Sequence, residues 1–501
     1  MRHRLTALSS AAFVALGACG DTVTSPAASA DWGSTAAFSV ASAVGTDYIV
    51  IGRGGQLPAD LAERVSALGG TVEHVTPQLG MALVRTSDPA ALSAISAISG
   101  VSAVAPDFAA VAIRPMAEVP MDDLQFGDAV GNPPNSGDND FFFDLQWGHT
   151  AVQAPSAWNL GYRGAGVRVA VLDDGINPNH PDLSTKVNRT LSKSFVPGEL
   201  YNTPPDKHGT HTSGTIGAAD NGTGVIGIAP DAEIVMVKVL SALTGSGSSY
   251  NTMAALVYAG DIGAKVINMS LGISVPFPRD GWVTDTRGTS DPEDDVQVHF
   301  PAAAYAGFVN LYQDAVNYAR DKGAVVIASA GNESIDMQYL GAAIKLPAEL
   351  PGVVSVSALG PIGWATNSST SLDVLASYSN FGKSGIDLAA PGGNYDLPDR
   401  TAVCSKSYFS AGVLRKVTSR CYAFDGVIST TVGGWGWKFG TSMAAPHVSG
   451  VAALIAGKYG SMATPALVEA ALRRGADDLG KPGQDEAYGH GRVNALRSLT
   501  Q

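Results

Sequence analysis

Three short segments of this sequence carry the side chains that nucleophilic hydrolysis needs. Asp173 closes Val-Ala-Val-Leu-Asp before Asp-Gly, His208 opens His-Gly-Thr-His-Thr-Ser-Gly, and Ser442 lies in Gly-Thr-Ser-Met-Ala-Ala-Pro-His-Val-Ser-Gly. A serine hydroxyl is a weak nucleophile until an imidazole takes its proton, and that imidazole must be oriented by a carboxylate. The residues after Ser442 have a small, apolar, helical pattern, which puts the serine at a helix N-terminus with backbone N–H groups facing a developing oxyanion. Ser329-Ala330-Gly331-Asn332 succeeds an apolar run, and the Asn332 amide could donate a second hydrogen bond to that oxyanion.

Rival chemistries fit less well. His208 and His211 form His-x-x-His, but the Glu of His-Glu-x-x-His is missing. Ser442 is not framed by Gly-x-Ser-x-Gly and comes after its histidine, the wrong order for an α/β-hydrolase. Gly161, Gly164 and Gly166 precede their strand, whereas a dinucleotide loop comes after one. Asp174, beside Asp173, either hydrogen-bonds locally or bears on substrate. His74, His180, His299 and His447 read as structural or exposed.

The elements that must position these residues alternate. Apolar runs at 167–172, 233–240, 265–269, 324–328 and 353–356 are separated by helical stretches, notably 250–262 and 302–322. That pattern implies an α/β fold with a mostly parallel, doubly wound sheet, whose sites form at the carboxyl ends of strands. Upstream, strands at 48–52, 71–75, 81–85 and 101–104 and helices at 58–68 and 88–98 give the order βαββαβ, with Asp88 as N-cap of the second helix. This is a small ferredoxin-like α+β unit over 46–107. Residues 108–144, rich in Pro, Gly and Asp, read as a linker or long exposed loop.

The chain begins with a positive n-region (Arg2, Arg4) and a short apolar run at 5–16, an export signal over residues 1–18. Leu16-Gly17-Ala18-Cys19 resembles a bacterial lipobox, which would make Cys19 a lipidation site; an ordinary small-residue cleavage site is the alternative. A Ser/Ala/Thr/Gly-rich tether occupies 19–45. The other cysteines, Cys404 and Cys421, are an even pair for an oxidising compartment, and bridging them would close a loop of about 17 residues, worth roughly 3 kcal/mol. With 58 glycines, 45% hydrophobic residues and a net charge of −13, the chain has core material but no dense basic cluster for nucleic acid. Apart from a lipid anchor at Cys19, no membrane contact is expected.

The four segments around Asp173, His208, Asn332 and Ser442 resemble the subtilisin-like serine proteases (the subtilases), in the family's order. The resemblance covers about 350 residues, 145–501, through Tyr488-Gly489-His490-Gly491-Arg492-Val493-Asn494. It implies a serine endopeptidase acting on polypeptides, with Asp173 orienting His208, His208 as general base then acid, Ser442 as nucleophile, and Asn332 with the Ser442 N–H as oxyanion hole. No cofactor is required for that chemistry. The ferredoxin-like unit resembles the family's inhibitory propeptide. Its tail, 105–113, would be cut near Ile113 and Arg114 or later within 108–144, in a self-processing zymogen expected to act as a monomer. A catalytically silent homologue serving as a binding module is the alternative, against which the intact triad argues.

The resemblance also implies a structural calcium at Asp182, Asn221 and the main chain of Ala219, Thr223 and Val225, whose oxygens suit a hard cation; a metal-free Gly-rich turn is the other reading. It places substrate-pocket walls at Ser270, Leu271, Gly272, Ser329, Ala330 and Gly331, with Lys345 at the pocket base. A cation there would shorten the pocket and favour an acidic P1 side chain by roughly 4 kcal/mol before desolvation. The default is broad apolar or aromatic preference. The stretches 274–300 and 394–437 read as surface insertions.

Overall fold

The computed structural model describes residues 47–113, 115–120, 140–203, 207–276, 280–285, 296–341, 343–410 and 413–501. The export signal, the tether and Cys19 lie outside the described residues.

The N-terminal unit comprises β1 (Asp47–Gly52), α1 (Leu61–Ala67), β2 (Thr71–Thr76), β3 (Met81–Arg85), α2 (Pro89–Ser96) and β4 (Val101–Pro106). Its antiparallel sheet has the order β2-β3-β1-β4. The helix expected from residue 58 begins at Leu61, and α2 starts where Asp88 accepts the Ala90 N–H at 2.8 Å, the N-cap read from the sequence.

Two further strands come next, β5 (Ala109–Ala112) and β6 (Ala117–Pro120). Parts of 108–144 therefore differ from a loop. Ala109, Ala110 and Ala112 are buried, and so are Phe141, Phe142 and Phe143, which pack into one core with Trp158, Val169 and Val171. Alanines carry little strand propensity, and pairing with neighbours on both sides imposes the extended form.

The larger layer starts with α3 (Trp147–Ala151) and α4 (Ala154–Asn159), then β7 (Arg168–Asp173), β8 (Lys193–Ser194), α5 (Lys207–Gly217), β9 (Glu233–Lys238), β10 (Ser246–Ser248) and α6 (Ser249–Asp261). Next come β11 (Val266–Met269), β12 (Leu271–Pro276), β13 (Trp282–Asp285), β14 (Val296–His299), α7 (Ala302–Asp321), β15 (Val325–Ser329), β16 (Ala343–Leu346) and β17 (Val353–Gly360). The chain closes with β18 (Val374–Leu375), β19 (Leu388–Pro391), β20 (Val403–Ser410), β21 (Val413–Arg420), β22 (Val427–Thr431), β23 (Gly434–Phe439), α8 (Thr441–Tyr459), α9 (Pro465–Gly475) and α10 (Ala495–Thr500).

The main sheet runs β18-β17-β15-β11-β7-β9-β8, with β19 added on β17, and its central pairs are parallel. The apolar runs reflect burial on both faces. Val169, Val171, Ile234 and Met236 face one core with Met443, Val448 and Val451 of α8. Ala170, Leu172, Val235 and Val237 face another, shared with α6, α7 and the N-terminal unit. In that second core the Phe108 ring meets Phe308 edge-on at 4.9 Å, and a Cβ on Gly307 of α7 would stand 3.2 Å from that of Ala103. Asp107 accepts the Tyr250 N–H at 2.9 Å, at the start of α6.

Candidate active site

Asp173 is the last residue of β7, at the carboxyl end of a central strand, and it is fully buried. Its Oδ1 accepts a hydrogen bond from His208 Nδ1 at 2.7 Å, and its Oδ2 one from the Thr212 hydroxyl at 3.1 Å. Thr212 lies one turn after His208 on α5, so one helix supplies two of the groups that hold the carboxylate, and the Asp174 N–H donates to Oδ1 at 2.8 Å.

The neighbouring Asp174 also faces that helix. It accepts the N–H groups of Gly209 at 2.7 Å and His208 at 3.3 Å, filling donors that the first turn leaves without intrahelical partners. Local hydrogen bonding is therefore the role the geometry gives Asp174. Gly209 permits the close approach, since a Cβ there would fall 2.2 Å from the Gly175 carbonyl oxygen. Burial and the Asp173 charge raise Asp174 to about 6. Burial pushes the His208 imidazolium down, but Asp173 and Asp174 outweigh it and leave the imidazole above its ordinary value.

Ser442 sits in the first turn of α8, fully buried. Its hydroxyl hydrogen-bonds Met443 Sδ at 3.5 Å, while His208 Nε2 has no hydrogen-bond partner among the described residues. Asn332 lies just beyond β15, its Oδ1 accepting the Thr441 N–H at 2.9 Å and hydroxyl at 2.8 Å. This points the amide NH2 toward the serine: a Cβ on Gly440 would meet Asn332 Nδ2 at 3.0 Å and Ser442 Oγ at 3.1 Å. The structure thus brings the carboxylate and imidazole together where β7 ends, and the hydroxyl and amide together where β15 meets the start of α8. His211 points elsewhere, to the Val427 carbonyl at 3.1 Å, and does not share a partner with the His208 ring.

The pocket residues separate by task. Gly272, Ser329, Ala330 and Lys345 line a cavity of about 50 Å³ with Ile113, Leu346 and Ala348. Leu271 and Gly272 pair in antiparallel register with Ala112 and Val111. Ser270 gives its hydroxyl to the Ser442 carbonyl at 2.9 Å and its own carbonyl to the Ile113 N–H at 3.3 Å. The Gly331 N–H donates to the Thr441 hydroxyl at 3.1 Å. The Lys345 ammonium is already met by Glu333 at 2.8 Å. Lys345 is therefore not the free cation that would favour acidic P1 side chains, because Glu333, reached by the turn after Asn332, neutralises it.

At the expected cation loop, Asp182 Oδ2 accepts the Val225 N–H at 3.0 Å and the Trp435 indole N–H at 2.7 Å, while its buried Oδ1 has no hydrogen-bond partner among the described residues. Asn221 Oδ1 accepts the Thr223 N–H at 2.9 Å, and Ala219 N–H donates to the Asp182 carbonyl at 2.8 Å. Asp140, which sequence reasoning did not tie to this loop, accepts the N–H groups of Asn221 at 3.1 Å and Gly222 at 2.7 Å.

The stretch 394–437 is more than surface insertion. Its Cys404 and Cys421 are disulfide-bonded at the base of the β20–β21 hairpin, with Cα atoms 4.7 Å apart. Trp437 is buried, and Trp435 reaches Asp182.

A parallel α/β sheet that delivers a carboxylate, an imidazole and a serine at a helix N-terminus defines a serine hydrolase. The chain belongs to the Subtilase family, whose model matches residues 164–491. It is 33% identical over 351 residues to subtilisin Savinase of Lederbergia lenta, covering 70% of this chain and 97% of the relative. Thermitase of Thermoactinomyces vulgaris is 31% identical over 361 residues, covering 72% and 97%. The solved structure of the epidermin leader peptide processing serine protease of Staphylococcus aureus shares the fold at TM-score 0.67 and 22% identity, covering 91% of this chain and 98% of that one. This chain is a subtilisin-like serine-type endopeptidase.

Proposed function

We propose that the chain is an exported, self-processing zymogen that hydrolyses peptide bonds through an acyl-enzyme on Ser442. The observation that carries this reading is the course of the chain through its own site. Strand β5 lies between β10 and β12, with Val111 opposite both Ser246 and Gly272, the arrangement of a peptide clamped on both edges. On either side of Arg114, which lies outside the described residues, Ile113 donates to Ser270 and Met116 donates to the Phe439 carbonyl at 2.7 Å.

In the reaction, His208 Nε2 takes the Ser442 proton as Oγ attacks the carbonyl carbon. The tetrahedral oxyanion is held by Asn332 Nδ2 and the Ser442 N–H. His208, its imidazolium stabilised by Asp173, then protonates the leaving amine, and water attacking the acyl-enzyme releases the acid with the same proton transfers. The unit 46–107 serves as inhibitor until the cut near Ile113 and Arg114 releases it. The small cavity shared by Ile113 and the Lys345–Glu333 pair fits medium aliphatic P1 side chains. Cys19 is assigned as the lipid attachment site of the exported enzyme.

The donor set at Asp182 fits a structural calcium ion. Asp182 Oδ1, without a hydrogen-bond partner among the described residues, the Asn221 amide oxygen and the main-chain oxygens of Ala219, Thr223 and Val225 would hold it, and it would supply stability rather than chemistry.

Intact mass measured on purified full-length chain tests the zymogen reading. Wild type is expected to yield two fragments cut near Ile113, and Ser442→Ala only the uncut chain. A Ser442→Ala chain that matures alone, with no other protease present, overturns self-processing.

A further inference from the structure

Downstream of the clamped strand β5, the chain makes a second set of strand contacts. Strand β6 pairs antiparallel with β23, in the register Ala117↔Phe439, Glu118↔Lys438, Val119↔Trp437 and Pro120↔Gly436. Strand β23 runs directly into Gly440 and the helix that carries Ser442, so a polypeptide held on this edge is held in fixed relation to the nucleophile.

The edge is also held from its other side. Ser429 of β22 donates to the His211 carbonyl at 2.9 Å, Thr430 to the Thr210 carbonyl at 2.7 Å, and Trp435 to Asp182. The β22–β23 hairpin is thereby fastened to the helix that carries His208. A preformed edge costs little ordering entropy when a strand adds to it.

Among the described residues of β22 and β23, Lys438 is the one cation. Its side chain is 2% exposed, and its ammonium lies 3.3 Å from Glu118 Oε2. Its charge disfavours the cationic forms of His208 and His211. When the segment bearing Glu118 departs, β23 keeps β22 but loses β6 on its outer edge, and Lys438 loses its carboxylate. The vacated edge then offers the Lys438 ammonium to a carboxylate on another strand seated in the same register.

We propose that the β23 edge is a recognition site for the polypeptide downstream of the scissile bond, and that Lys438 selects an aspartate or glutamate in the register Glu118 holds. The enzyme's substrates are then extended chains, read by strand pairing on both sides of the cut, with an acidic residue on the leaving side. This inference rests on the peptidase reading of the cleft.

The test uses active enzyme matured from the full chain and internally quenched peptides with the sequence of residues 109–120, carrying Glu, Gln or Lys at the position of Glu118. The Glu peptide is expected to exceed the Gln peptide by about threefold to tenfold in kcat/KM, mostly through KM, with Lys worse still. In Lys438→Met the Glu-to-Gln ratio is expected to fall near one. Equal cleavage of the Glu and Gln peptides by wild type, or a ratio that survives in Lys438→Met, overturns the proposal. A second measurement needs neither catalysis nor the Lys438 variant. In full-length Ser442→Ala, Glu118→Gln should speed amide hydrogen exchange at residues 117–119 about threefold, and unchanged exchange there overturns the proposal as well. Failure of wild type to cut any peptide would count against the peptidase reading, and the exchange result would then decide this one.

Discussion

The Asp174 carboxylate accepts the Gly209 N–H at 2.7 Å, tying the end of strand β7 to the first turn of the helix that presents His208. Two adjacent aspartates thus divide the work, Asp173 on the imidazole ring and Asp174 on the backbone beneath it. Asp174→Ala removes that cap. The expected cost is about 0.5–2 kcal/mol of stability, with a fall in kcat larger than any rise in KM, because the His208 ring loses its fixed approach. Thermal unfolding and steady-state kinetics on the variant check this, and unchanged values of both contradict it.

Asn332→Ala should lower kcat by about 100- to 1000-fold, the loss documented for one oxyanion donor in this enzyme class, with KM little altered. The same variant should keep its fold, although the Thr441 N–H and hydroxyl lose their acceptor. A kcat within a few-fold of wild type would remove Asn332 from the oxyanion site.

Activity should rise with pH through a midpoint above the ordinary imidazole value of 6.5. The base must be neutral to take the serine proton, and the net effect of Asp173 and Asp174 over burial raises His208, so protonation switches the enzyme off at a higher pH than for a free imidazole. Asp173→Asn takes away the main raising charge, and its midpoint should move down as its rate collapses. The pH dependence of kcat/KM measures both; a midpoint that does not move in Asp173→Asn contradicts the pairing.

The Lys345–Glu333 pair predicts specificity. Lys345→Gly opens the cavity that Ile113 shares and should raise the Phe-to-Leu ratio at P1 about tenfold. Glu333→Gln bares the ammonium and should move preference toward Glu at P1. Matched peptide pairs read both variants, and unchanged ratios would place Lys345 outside the pocket's working surface.

The range of each interaction decides whether the sequence reveals it. Asp173, His208 and Ser442 are legible because each sits in a local pattern, an apolar strand or a small-residue helix, that dictates its own backbone. The βαββαβ unit is legible for the same reason, its periods of two and of about 3.6 being local. Trp435 on Asp182 and Glu333 on Lys345 join distant segments, and neither end carries a signal naming the other. Strand β5 is hidden differently: Ala-Ala-Val-Ala has no strand signature, and its form comes from β10 and β12 on either side. The Asp174 cap lies between, since the residue is conspicuous beside Asp173 while its partner helix is 34 positions downstream.

The proposed reaction requires Ser442 to be the nucleophile and His208 to activate it. Active enzyme treated with a serine-directed fluorophosphonate, then digested and mapped by mass spectrometry, tests it most directly. One adduct is expected, on Ser442, forming in step with loss of peptidase activity and strongly slowed in His208→Ala. Full inactivation with the adduct on another residue, or sustained activity with Ser442 fully labelled, would contradict it.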